Sequence, residues 1–106
     1  MNGKPRFAAT EIQRGVALYQ NTPGACLLDV CTPEEYAEGH IPGSINFPLA
    51  RIQAGDAPVD DPDTPLFVYC RSGNRSRMAS EILTDMGFDE VRNIGGILSW
   101  HGALEK

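Results

Sequence analysis

Leu66-Phe67-Val68-Tyr69 is an unbroken apolar run that passes directly into Cys70-Arg71-Ser72-Gly73-Asn74-Arg75-Ser76. Beyond that loop, Ala79, Ile82, Leu83 and Met86 recur at helical spacing. A short run of this kind reads as a strand buried on both faces, and a chain that leaves such a strand for an amphipathic helix builds parallel sheets covered by helices. The rest of the sequence keeps the same alternation. Thr10-Glu11-Ile12-Gln13 has the form of a capping box, opening a helix through Ile12, Val16 and Tyr19 that ends near Asn21. Cys26-Leu27-Leu28-Asp29-Val30 is a second buried strand whose one charged member, Asp29, needs a partner. Thr32-Pro33-Glu34-Glu35 caps a short helix stopped by Gly39, and Ser44 to Leu49 is a strand candidate closed or edged by Pro48. A polar loop follows from Asp56 to Pro65. After Gly87 caps the long helix, Val91 to Ile94 reads as a last strand, Gly95-Gly96 as a turn and Ile97 to Ala103 as a final helical piece. The length fits one domain, residues 1–106.

A formal net charge of -5 excludes the broad basic surface that nucleic-acid binding needs. No apolar stretch is long enough to span a membrane, and Met1 to Phe7 contains no apolar leader region, so the expected setting is cytoplasmic. Three cysteines without CxxC spacing point to reduced thiols, with neither a disulfide framework nor a metal site. Against the acidic background, Arg71, Arg75 and Arg77 fall within one short segment. Arg77 reads equally well as a solvated helix residue.

The chemistry converges on Cys70. A cysteine between a buried strand and a helix meets backbone N–H groups that have no helical partner, and Gly73 and Asn74 allow the loop to curl round its sulfur. An ordinary cysteine, with a pKa of about 8.5, is only about 3% thiolate at neutral pH. Lowering that pKa by about two units takes about 2.7 kcal/mol of selective stabilisation of the anion, more than the about 1 kcal/mol that a helix terminus supplies. Arg71 and Arg75, or the loop amides, are expected to provide the remainder.

Taken together, these residues resemble the rhodanese-like family. Leu28-Asp29-Val30, Thr32 to Tyr36 and Glu38-Gly39-His40-Ile41-Pro42-Gly43-Ser44-Ile45-Asn46 are similar to its first motif, Tyr69 to Ser76 to its active-site loop, and Gly95-Gly96-Ile97-Leu98-Ser99-Trp100 to its closing motif. The resemblance runs from about Leu27 to Trp100. It implies an α/β fold with a five-stranded parallel sheet flanked by helices on both faces. It also implies a sulfurtransferase in which Cys70 cycles between thiol and persulfide, taking sulfane sulfur from a donor such as thiosulfate and passing it to cyanide or a thiol such as thioredoxin or glutathione. Carried over by position, Cys70 is the nucleophile, and the segment Arg71, Ser72, Gly73, Asn74, Arg75 and Ser76 binds the substrate. Asp29 and His40 support the loop. The exchange requires no metal or organic cofactor. The sequence carries no signal for a particular oligomeric state.

Two other enzyme or module classes use related parts. A cysteine-dependent phosphatase or arsenate reductase places five residues between cysteine and arginine, whereas Cys70 and Arg75 enclose four and Ser76 occupies the phosphatase arginine position. A sulfur-carrier subunit or a regulatory binding module is the other class, although inactive modules of this family usually lack the cysteine. The chain also departs from many relatives in having Cys31 where they carry an arginine. Cys31 reads first as a packing residue. The other reading has its thiol, on a strand neighbouring that of Cys70, attack the persulfide and leave a disulfide.

Overall fold

The computed structural model describes residues 10–106. The reading of Met1 to Phe7 falls outside them. Four parallel strands, β1 (Cys26–Asp29), β2 (Ile45–Asn46), β3 (Leu66–Cys70) and β4 (Val91–Gly96), lie in the order β2-β1-β3-β4. The described residues thus supply four strands where the family resemblance implied five, at the four places the apolar runs marked. Of the four helices among the described residues, α1 (Glu11–Gln20), α3 (Leu49–Gln53) and α4 (Asn74–Asp85) bury residues against the sheet, while α2 (Pro33–Glu38) has no buried residue. Both expected capping boxes form, with Thr10 and Thr32 each exchanging hydrogen bonds with the residue three positions on. No helix among the described residues is long and apolar enough to cross a membrane.

Alternation along the central strands decides which face each side chain serves. Cys26 and Leu28 of β1 and Leu66, Val68 and Cys70 of β3 join Leu49 and Ile52 of α3 and Ala79 and Leu83 of α4 in one buried layer. Leu27, Phe67 and Tyr69 point the other way and meet Ile12 and Val16 of α1. Cys70 therefore ends its strand on the face where α4 begins.

Three local expectations are corrected. Only Ile45 and Asn46 of the Ser44 to Leu49 stretch pair with β1. Pro48, which has no N–H to give a ladder, follows the end of β2, the edge strand, as expected, and it is also the N-cap of α3, a helix the sequence pattern did not reveal. Gly95 and Gly96 do not turn: they continue β4 opposite Tyr69 and Cys70, after a register shift that leaves Gly95 at a φ of 101°. The final helical piece is confined to Ile97–Ser99. Beyond it the chain returns to make a two-way backbone pair, His40 N–H to Glu105 O at 2.9 Å and Glu105 N–H to His40 O at 2.8 Å.

Candidate active site

Cys70 is the last residue of β3, and its sulfur is buried beneath the turn that starts α4. Gly73, at a φ of 101°, is the N-cap of that helix, and its conformation folds the loop back over the strand end. The N–H of Gly73 donates to Cys70 Sγ at 3.0 Å and that of Ser76 at 3.4 Å. Ser76 Oγ lies 3.5 Å from the same sulfur. Burial alone would raise the thiol pKa. Hydrogen bonds from the Ser76 hydroxyl and from the Ser76, Gly73 and Ser72 N–H groups outweigh it and hold the pKa below its ordinary value.

The arginines contribute differently from the expectation. Arg75 is clamped by Glu35, Nη1 to Oε1 at 2.8 Å and Nη2 to Oε2 at 3.1 Å, and Nη2 reaches Cys31 Sγ at 3.9 Å. Its charge senses Cys70 more weakly than it senses Glu35 or Cys31. Hydrogen bonding to Arg75, then to the Thr32 N–H, brings the Glu35 carboxyl down to about 2, so this pair stays ionised throughout the neutral range. Amides and a hydroxyl, more than guanidinium charge, lower the Cys70 pKa.

Asp29 finds its partner in the N–H of Cys31, which donates to Oδ1 at 2.9 Å, and Asn46 Nδ2 donates to the Asp29 and Cys31 carbonyls at 3.1 and 2.9 Å. These bonds tie the end of β1 to β2, and the Val30 N–H, donating to Tyr69 O at 3.0 Å, holds it beside the end of β3. Cys31 lies in the same buried layer as Cys70. Burial, then the charge of Asp29 and a hydrogen bond to it, push the Cys31 thiol pKa far up, against a smaller pull from Arg75. A thiol held protonated is a poor attacking nucleophile, which weighs against a persulfide-resolving role.

His40 stacks on Tyr36 with ring centroids 3.7 Å apart, and its Nδ1 lies 2.8 Å from the Tyr36 carbonyl. Tyr36 in turn donates its hydroxyl to Ser44 O at 2.6 Å. His40 thus braces α2, the helix that carries Glu35. Arg77 pairs with Glu81 on the exposed face of α4. Ser72 and Asn74 flank Gly73, and Asn74 opens the helix.

Two hollows border the loop. One, of about 260 Å³, has Arg71 between Glu38 of α2 and Leu98 and Leu104. The Arg71 side chain is 44% exposed and only 3.9 Å from a Glu38 that is itself 73% exposed, a loose pair that leaves the guanidinium accessible. The other, of about 270 Å³, lies beside Ser72, Gly73 and Asn74 and includes Asn93. Asn93 is a site residue that sequence reasoning missed. Its Oδ1 accepts from Ser76 Oγ at 2.7 Å and from Gly95 N–H at 3.1 Å, while its Nδ2 donates to Gly73 O at 3.3 Å. Glu35 was read only as a helix cap. Neither partnership leaves a local signal, since Glu35 and Arg75 are 40 positions apart and Ser76 and Asn93 are 17.

A buried sulfur ringed by inward-pointing N–H groups at the carboxyl end of a parallel sheet is suited to carrying negative charge, and known proteins share the arrangement's sequence and fold. Thiosulfate sulfurtransferase PspE of Escherichia coli is 41% identical over 71 residues, 66% of this chain and 68% of that protein. A sulfurtransferase of Allochromatium vinosum is 38% identical over 87 residues, covering 77% of this chain and 78% of that protein. Among solved structures, one described as rhodanese with anions from E. coli superposes with a TM-score of 0.66 at 36% identity, over 77% of this chain and 98% of that one. The rhodanese-like domain model matches residues 12–103, from the first turn of α1 to beyond the closing glycine motif, and the chain belongs to that family.

Proposed function

We propose that the protein transfers sulfane sulfur from an anionic donor such as thiosulfate to cyanide or a thiol, through a persulfide on Cys70. The carrying observation is the convergence of Gly73 N–H, Ser76 N–H and the Ser76 hydroxyl on a single buried sulfur. The Cys70 thiolate attacks the outer sulfur of thiosulfate, the sulfur–sulfur bond breaks, and sulfite leaves with the bonding electron pair. In the second step the acceptor takes the outer sulfur, and Cys70 departs as the thiolate it was at the start. With cyanide the product is thiocyanate. The loop amides stabilise the negative charge on Sγ in the thiolate form, and neither step draws on a metal or organic cofactor. The same persulfide would serve a carrier that hands sulfur to a protein thiol. A tetrahedral phosphate is a poorer match, because the four residues between Cys70 and Arg75 shorten the cradle and Arg75 is already committed to Glu35.

Intact-mass measurement before and after incubation with thiosulfate tests the reading. One added sulfur atom, located on the peptide containing Cys70 and removed by cyanide or dithiothreitol, is expected. A mass unchanged by excess thiosulfate and by other sulfane donors would overturn it.

Arg71 is an accessible cation in the loop itself and is expected to meet the anionic donor. Replacing it with alanine should raise the KM for thiosulfate by about 3- to 10-fold at low salt, an effect that shrinks as salt screens the charge. Steady-state kinetics across ionic strength read this directly, and a KM insensitive to both the substitution and salt removes Arg71 from the donor site.

A further inference from the structure

Ser76 is fully buried, and its one hydroxyl proton has three claimants: Asn93 Oδ1 at 2.7 Å, Gly73 O at 3.1 Å and Cys70 Sγ at 3.5 Å. Two backbone groups with unambiguous roles fix the orientation of the Asn93 amide. Gly95 N–H can only donate, so the atom it meets is the oxygen, and the Gly73 carbonyl can only accept, so the atom it meets is the NH2 group. Asn93 therefore only accepts from Ser76. With the proton on this shortest contact, the lone pairs of Ser76 Oγ are free to face Cys70, an arrangement that suits a neutral S–H donor and opposes a thiolate. When the sulfur becomes anionic the hydroxyl must turn to donate to it. Asn93 Oδ1 then still holds the Gly95 N–H and is not left unsatisfied.

We propose that Asn93 is a positioning residue for Cys70: its Oδ1 holds the Ser76 hydroxyl proton while the sulfur is neutral and releases it when the sulfur becomes a thiolate. The hydroxyl is thus a two-position donor, and β4, through Asn93, sets the balance between the positions. In the persulfide the inner sulfur is again neutral and divalent, so the proton returns to Asn93 while the outer sulfur carries the charge. An asparagine that competes for this proton keeps the thiolate from being held too tightly, and a thiolate of higher basicity is the stronger nucleophile. The surrounding charges are unaltered by the exchange. They are Arg75 of α4, paired with Glu35 of α2; Asp29 at the end of β1, beside the neutral thiol of Cys31; Arg71 at the mouth, near Glu38; Arg77 of α4, paired with Glu81; and Glu11 of α1, beside Gly95.

The proposal rests on Cys70 being the reacting thiol, and it is tested through ionisation alone, so its outcome is separable from that of sulfur transfer. The pH dependence of thiolate absorbance, and of the rate of iodoacetamide labelling at the Cys70 peptide, is measured in the full chain. Four proteins are compared: wild type, Asn93→Ala, Ser76→Ala and the double variant. Asn93→Ala is expected to lower the apparent pKa of Cys70 by about 0.5 to 1 unit, the worth of one neutral hydrogen bond, and Ser76→Ala to raise it. In the Ser76→Ala background, Asn93→Ala should produce no such fall. If Asn93 merely braces the strand, its loss loosens the Gly73 and Ser76 amides and the pKa rises in both backgrounds. Either that rise, or an equal fall in both, overturns the proposal. Should Asn93→Ala fail to fold, Asn93→Asp keeps the acceptor for Gly95 and grips the Ser76 proton harder. It should then raise the pKa more with Ser76 present than without it, and an equal rise in both overturns the proposal.

Discussion

Cys70→Ser is expected to reduce thiocyanate formation from thiosulfate and cyanide by at least about 10³-fold while leaving the fold in place. Serine fits the volume left by the sulfur, and its oxygen can accept the Gly73 and Ser76 N–H groups that now point at Sγ. Its hydroxyl can donate to Ser76, so no buried polar atom is stranded. A serine hydroxyl is far less acidic than a thiol and forms no persulfide. The far-ultraviolet circular dichroism spectrum should be superimposable on wild type and the melting temperature shifted by only a few degrees, of the order that about 1 kcal/mol produces in a domain this size. Turnover retained in this variant would sink the mechanism, whereas an unfolded variant would show that Cys70 has a structural role beyond the one assigned to it.

Gly96→Ala should damage stability and activity together. Gly96 pairs with Cys70 across the sheet, and a Cβ there would run into the Arg71 carbonyl oxygen and stand 2.7 Å from Ser72 Cα. These are backbone atoms and no rotamer change relieves them. The loop must move, and the N–H groups of Gly73 and Ser76 then lose their common focus. Overpacking of this kind costs about 1–3 kcal/mol, and misplacing preorganised donors by about 1 Å costs about 10²-fold in rate. Gly39→Ala is the contrasting case. Gly39 has an extended φ of 163°, and its added methyl would meet only the flexible end of Leu104 at 3.3 Å, so little stability should be lost. Thermal melts and steady-state rates of the two variants check the contrast. Equal behaviour would show that the Gly96 contact with the loop is not tight.

How much of this was legible depended on whether the signal was local. The parity of Leu66, Val68 and Cys70 along an apolar strand is a local pattern, and it is what sets the sulfur at the mouth of α4. The boxes at Thr10 and Thr32 are equally local, and both form. The helix α3 was hidden because five residues are too few to show a period, and Pro48 reads as naturally at a strand end as at a helix cap. The glycine pair misled for a different reason. Two glycines ordinarily mark a turn, yet here one absorbs a register shift and the other makes room for the backbone of the loop. Of the two sources expected to activate Cys70, the loop amides do so, while the arginine half of the expectation did not anticipate Glu35, whose capping role concealed a second partner 40 positions along the chain. Asn93 gave no warning either, since a polar residue in an edge strand usually needs no explanation.

The double engagement of Glu35 ties together two segments that are remote in sequence. One oxygen, Oε1, accepts both the Thr32 N–H at 2.9 Å and Arg75 Nη1 at 2.8 Å, so the cap of one helix and the opening turn of another hang on the same carboxylate. Fraying at Thr32 withdraws the brace from Arg75, and displacement of Arg75 leaves the cap half-made. The two segments are then expected to form one cooperative unit whose amides open to solvent together, so that in hydrogen-exchange measurements an anion that steadies the loop also slows exchange at the start of α2.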